Sequence, residues 1–216
     1  MRNSKVLVTR LKQFVGWARC QIFDLVHSVQ TCGESRLSQL IVRGSNGVNG
    51  TDYHPSHPKF VRSLLGSLKI DYSQYTFVDL GSGKGRVLLI ACEYPFRRII
   101  GVEFAKQLHD IAQRNIASYR GSRECADITS VWLDVAEFTI PIEPIIFFMF
   151  NPFRPPVMRE VIGNIVGSLQ KYPRPCLLIY DTPYHSALIR EPFTLVRESE
   201  NFKVFASLSQ LEPNHV

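Results

Sequence analysis

The 216-residue sequence predicts an α/β domain: a mostly parallel sheet with helices on both faces, an antiparallel C-terminal hairpin, and an N-terminal helical extension. Three observations predict it. From Tyr75 onwards short apolar runs alternate with segments of helical periodicity, the pattern of a parallel sheet covered on both sides. The first of those runs ends in a glycine-rich loop that opens a helix. The last two runs, Phe193–Arg197 and Phe202–Leu208, are separated only by polar Glu198-Ser199-Glu200-Asn201, which suits a hairpin.

Each element follows from local pattern. Residues 4–28 repeat Leu7, Leu11, Phe14, Ala18, Ile22 and Leu25 at helical spacing, with Arg10, Lys12 and Arg19 off the stripe. This is an amphipathic helix expected to pack on its own domain, with a membrane surface as the other surface it suits. From Gly44 to Pro58 turn formers and two prolines exclude regular structure, so residues 1–50 are read as a basic helical extension or cap and 51–216 as the main domain. Residues 59–69 resume a helical pattern. Strands are expected at Thr76–Leu80, Arg98–Glu103, Ile128–Leu133, Ile145–Phe150 and Cys176–Tyr180. Helices are expected from the glycine loop to about Tyr94, at Ala105–Tyr119 and at Val157–Leu169.

Charge is unevenly placed. The net charge is +6, and residues 1–74 hold ten Lys/Arg against four Asp/Glu, whereas residues 75–216 hold fifteen of each. A basic segment beside a neutral domain suits an anionic partner. No apolar run approaches the ~20 residues of a membrane-spanning helix, and Thr9, Arg10 and Lys12 interrupt any secretory core, which points to a cytoplasmic protein. The five cysteines are widely spaced with no C-x-x-C pair, so a zinc ribbon is excluded, a disulfide framework is not expected, and most are expected as buried thiols.

The strongest signal is Asp79-Leu80-Gly81-Ser82-Gly83-Lys84-Gly85-Arg86 directly after a strand. Glycines there let the backbone approach a ligand at the strand's carboxyl end. Lys84 is followed by Gly85 rather than by a hydroxyl, which excludes a phosphate-cradling P-loop. Arg86 stands where a dinucleotide fingerprint needs its third glycine.

The remaining pattern, Asp-x-Gly-x-Gly-x-Gly followed by Gly101-Val102-Glu103-Phe104, resembles the class I S-adenosylmethionine-dependent methyltransferases from about Tyr53 to the C-terminal hairpin. The resemblance implies a Rossmann-like methyltransferase fold and S-adenosylmethionine as cofactor. It implies that Gly81, Ser82 and Gly83 line the cofactor and that Asp79 meets its cationic methionine end. Glu103, 22 residues after Gly81, then accepts hydrogen bonds from the ribose hydroxyls, beside Phe104. It also places Asp134 against the adenine amino group, beside Val135, although an Asp at a strand end is equally an ordinary helix cap. Tyr53-His54-Pro55 resembles the Tyr-x-Pro segment of non-SET lysine methyltransferases and their small bacterial relatives, whose tyrosine loop folds over the cofactor.

In the same family the end of the fourth strand, here Asn151-Pro152-Phe153, faces the transferring methyl group. An attacking amine can donate to the Asn151 side-chain oxygen and the Pro152 carbonyl, with Phe153 walling the substrate; positioning of this kind supplies most of the catalysis in a displacement at a sulfonium. Amino-directed nucleic-acid methyltransferases carry Asp/Asn-Pro-Pro-aromatic there, and this chain has one proline fewer. The expected activity is methyl transfer to an amine such as a protein lysine. Nucleic-acid and small-molecule acceptors are the alternatives within that chemistry, and a non-catalytic cofactor-binding module is the alternative outside it. His54 and His57 have no acidic or cysteine companion at ligand spacing, so no metal is expected.

Overall fold

The computed structural model describes residues 18, 20–44 and 46–207. Seven strands form one sheet in the order β3-β2-β1-β4-β5-β7-β6. They are β1 Thr76–Leu80, β2 Arg98–Glu103, β3 Ile128–Trp132, β4 Ile145–Phe150, β5 Cys176–Asp181, β6 Phe193–Glu198 and β7 Phe202–Ser207. The first five are parallel, while β7 runs antiparallel to both β5 and β6. The helices are α1 over residues 20–27, α2 Pro58–Gly66, α3 Arg86–Ala91, α4 Lys106–Ser118 and α5 Pro155–Lys171.

Side chains alternate across a strand, so one apolar run supplies two faces. Phe77, Ile99, Ile146, Phe148, Leu177 and Ile179 face α2 and α3, together with Phe23 of α1. Val78, Leu80, Phe147, Met149 and Leu178 face α5, which contributes Val157, Val161 and Ile165. The chain leaves β1 towards β2 and β3 on one side and later fills β4 and β5 on the other. The crevice between the carboxyl ends of β1 and β4 is therefore a topological switch point, the place where open α/β sheets bind ligands.

Two expectations about the N-terminal part change. Ile22 and Leu25 of the apolar stripe are 58% and 83% exposed, whereas Phe23 and Asp24 are buried. The inward face is chosen by Arg86, which needs a carboxylate and an aromatic ring beside it: Asp24 pairs with it at 3.2 Å, and Phe23 lies 5.1 Å from its guanidinium. Leu7, Leu11 and Phe14 of the stripe lie outside the described residues, as does Leu208 of the hairpin. A disulfide joins Cys20 and Cys32, where free thiols were expected. The return loop after α1 brings the two together, because Asp24 accepts from the backbone N–H of Thr31 and of Cys32, each at 2.7 Å. Cys92, Cys125 and Cys176 are free and buried. Among the described residues no helix is long and apolar enough to cross a membrane.

Candidate active site

Residues 31–44 and 46–57 run across the carboxyl edge of the sheet as an irregular strap. Short bridges fix it: Ser35 to Tyr53, Val42 to Ala105, and Gly50 to Phe153. Further backbone bonds tie Arg43 to the Phe104 carbonyl (2.9 Å) and Arg154 to the Asn49 carbonyl (2.8 Å).

Beneath the strap the glycine loop is clamped from two sides. Gly83 has φ +54°, and a Cβ there would stand 2.3 Å from the Tyr53 ring. Gly81 has φ +85°, and its Cβ would stand 2.7 Å from Pro152. Only glycine combines that backbone conformation with such close approach. A side chain at Gly83 would meet the Tyr53 ring. Tyr53 itself is held by its hydroxyl, which donates to the Thr31 carbonyl at 2.7 Å, and by the Lys84 ammonium 4.8 Å from its ring. Lys84 in turn donates to the Cys32 and Gly33 carbonyls at 2.8 and 3.0 Å.

Asp79 and Glu103 stand on the same sheet face, since Asp79 pairs with Gly101, two residues before Glu103. Each is 3% exposed. Glu103 accepts from the Gly83 N–H at 2.7 Å and the Ala105 N–H at 2.8 Å, which fixes the loop against β2. Burial pushes the Glu103 carboxyl up to about 7, against the opposing pull of those N–H groups. Burial, and then repulsion from Glu103, holds Asp79 well above the usual carboxylate range. Among the described residues no cationic side chain pairs with either. The Ser82 hydroxyl beside them is buried without a partner. Two adjoining buried carboxylates and an unpartnered hydroxyl suit a ligand that brings positive charge and hydrogen-bond donors.

The loop is supported from behind by Arg86, a residue that sequence reasoning did not assign a role. It is 3% exposed and donates to the Thr31 hydroxyl (2.6 Å), the Ser56 carbonyl (3.3 Å) and Asp24 (3.2 Å). No local signal reveals this, because its carboxylate partner lies 62 positions away.

A second small cavity continues past Gly81 and is lined by Leu133, Asp134, Val135, Phe104 and Phe153. Asp134 faces it and also caps the short turn Val135–Glu137, accepting from the Ala136 N–H at 3.1 Å. Phe153, expected to wall the substrate, belongs to this cavity and to the inner one around Asp79, because its bridge to Gly50 turns it inward.

Asn151 lies elsewhere, in an open groove of about 900 Å³ with Arg36, Thr51, Asp52, Arg154, Thr182 and Tyr184. Its backbone is left-handed, φ +39°, a conformation asparagine tolerates better than most residues. Its side-chain oxygen accepts from the Tyr180 hydroxyl at 3.1 Å, and its carbonyl accepts from Thr51 at 3.3 Å. The Pro152 carbonyl accepts from the same Thr51 hydroxyl at 3.5 Å. Each oxygen has two lone pairs, so the Asn151 side-chain oxygen and the Pro152 carbonyl each retain one for a further donor. Phe150 lines both the groove and the inner cavity, and Pro152 lines the inner cavity. His54 is 3.2 Å from Glu34 at the exposed rim.

A family model described as "Histone methylation protein DOT1" matches residues 43–126, from the strap to the approach to β3. No curated protein matches the chain in sequence. Among solved structures, the chain is similar to a candidate RNA methyltransferase from Pyrococcus horikoshii, with TM-score 0.54, 17% identity, and 82% of this chain and 94% of that one covered. It is similar to a predicted N6-adenine-specific DNA methylase from Listeria monocytogenes, with TM-score 0.53 and 13% identity, covering 71% of this chain but only 51% of that one. A third is magnesium protoporphyrin IX methyltransferase from Synechocystis, with TM-score 0.51 and 16% identity, covering 71% and 80%. At these identities what is shared is the fold.

Proposed function

We propose that this chain, an S-adenosylmethionine-dependent methyltransferase with the class I fold, transfers its methyl group to an amine presented in the groove at Asn151. The observation that carries the reading is the buried, unpaired couple of Asp79 and Glu103 under a double-glycine loop. When bound, the cofactor supplies an electrophilic methyl on a sulfonium. Its positive methionine end suits Asp79, its ribose hydroxyls suit Glu103, and its adenine suits the cavity at Asp134, Val135 and Phe153. The inner cavity measures only about 60 Å³, whereas ligand pockets run to roughly 300–1,000 Å³. The strap with Tyr53 is therefore the wall that yields on binding.

Asn151 and the Pro152 carbonyl hold the acceptor nitrogen by its N–H groups, with its lone pair directed towards the inner cavity, whose wall at Phe150 the groove shares. A protein lysine as acceptor is supported by the match to the histone-methylation model. A nucleic-acid acceptor is supported by Arg36 and Arg154, which line the groove without a salt bridge among the described residues, and by Tyr184, 76% exposed. Deuterated-methyl cofactor added to lysate fractions of protein, nucleic acid and small molecules, followed by mass spectrometry, tests the activity and names the acceptor. Label is expected in one fraction with the native chain and in none with Gly83→Arg. Equal labelling by both proteins rejects the assignment of the site.

Calorimetry at several pH values tests Glu103. Its raised pKa, about 7, means that the carboxylate which accepts from ribose is lost below neutral pH. Cofactor affinity is therefore expected to fall by up to about tenfold per unit as pH drops below 7. Stability of the ligand-free protein runs the other way. The unfolded carboxyl titrates near 4.5, so Glu103's contribution is fully present below that value and is lost as pH rises through 7. Glu103→Ala should weaken binding by about 1.5–3 kcal/mol and flatten the affinity profile. A profile that stays steep in that variant assigns the titration to another group.

A further inference from the structure

The helix α1 presents two unlike faces. Phe23 and Asp24 turn inward beneath Arg86, while Ile22, Leu25 and Val26 are 58%, 83% and 62% exposed. Three large aliphatic side chains within five positions of one short helix, all on its outer side, form a contiguous apolar surface rather than scattered exposure. In the sequence the spacing continues upstream: Leu7, Leu11, Phe14 and Ala18 precede Ile22 and Leu25 at intervals of three or four, with Arg10, Lys12 and Arg19 off that stripe.

The surroundings are basic. At the carboxyl end of α1 the His27 carbonyl accepts from the Arg120 N–H at 3.1 Å, and Asn115, next to Arg114, accepts from the Gln30 N–H at 2.8 Å. Both arginines are exposed, and neither forms a salt bridge within the described residues. The whole positive excess of the chain lies before Tyr75.

We propose that this outer face of α1, with its basic rim, docks on an anionic lipid surface. A polyanion alone would leave Ile22, Leu25 and Val26 in water. An apolar protein surface alone would leave the guanidinium groups without counter-charge. An anionic bilayer satisfies both, because aliphatic side chains enter the boundary between headgroups and acyl chains while arginines meet headgroup phosphates. The inner face of the same helix holds Asp24 against Arg86, so docking leaves the support of the glycine loop in place.

Co-sedimentation of the full chain with phosphatidylcholine vesicles, with and without phosphatidylglycerol, tests this. Binding is expected to the anionic vesicles, to weaken with added salt, and to be nearly absent on phosphatidylcholine alone. Ile22→Glu, Leu25→Glu and Val26→Glu combined should lower anionic-vesicle binding by about tenfold or more. Because all three residues are exposed, the same variant should keep its circular dichroism and urea midpoint, which separates lost docking from lost folding. No binding to anionic vesicles, equal binding to both kinds, or undiminished binding by the triple variant each overturns the proposal. So does a concentration-dependent dimer, abolished by the triple variant, in a protein that ignores vesicles, since the face then belongs to a second copy of the chain.

Discussion

Asn151→Ala is expected to lower kcat by about 10–1000-fold, the loss that follows from misplacing a nucleophile, while cofactor affinity stays nearly unchanged. The separation follows from where the side chain lies. Asn151 lines the outer groove, whereas Asp79, Gly83 and Glu103 line the inner cavity. Its amide oxygen is already oriented by the Tyr180 hydroxyl at 3.1 Å, which in turn receives the His185 N–H at 3.3 Å. The remaining lone pair of that oxygen is the one available to an incoming amine. A neutral amide suits the task because the attacking nitrogen must be deprotonated, and Asn151→Asp should also lose rate by stabilising the ammonium form. The left-handed backbone at Asn151 adds a small stability cost to any alanine there. Tyr180→Phe is therefore the companion variant: it removes the orienting donor, together with the acceptor of the His185 N–H, without a substitution at the left-handed position, and should lower kcat. Single-turnover rates and calorimetric cofactor affinity check both. Equal loss of affinity and rate makes Asn151 a cofactor or structural residue, and loss of neither reduces Asn-Pro-Phe to a turn.

Asp24→Ala is expected to destabilise the fold by about 3–5 kcal/mol, the cost of leaving one partner of a buried ion pair alone. Asp24 accepts four hydrogen bonds: two backbone N–H groups at 2.7 Å, the Thr31 hydroxyl at 2.5 Å, and Arg86 at 3.2 Å. The Arg86 side chain is 3% exposed, so water cannot replace the lost carboxylate. Arg86 opens α3 directly after Gly85, and Thr31 holds Tyr53 over Gly83. The same substitution should thus weaken cofactor binding along with stability. Removing the charge as well, in Asp24→Ala with Arg86→Met, should recover much of the stability, because an apolar pair needs no desolvated charge. Urea unfolding midpoints at a shared slope decide it. A single variant as stable as the native chain would mean that Arg86 finds another counter-charge.

The sequence by itself determined the sheet and pointed to the inner half of the candidate site. β1, β2 and β4 begin and end where they were expected to, because strands buried largely on both faces read as predominantly apolar runs that stop at turn residues. Asp79, the glycine loop and Glu103 were legible as candidates because their motif at two strand ends resembles that of a known family, and the register of β1 against β2 puts the two carboxylates on one face. The tertiary structure decided what depends on distant residues. Which side of α1 faces inward follows the buried guanidinium on α3, whose carboxylate and aromatic partners Asp24 and Phe23 lie on the side opposite Ile22, Leu25 and Val26. The turning of Phe153 towards Asp134, the closure of Tyr53 over Gly83 and the joining of Cys20 to Cys32 all follow from the path of the strap and the loop before it. That path is fixed by backbone bonds to partners such as Phe104 and Ala105, and backbone groups are the same at every position in a sequence.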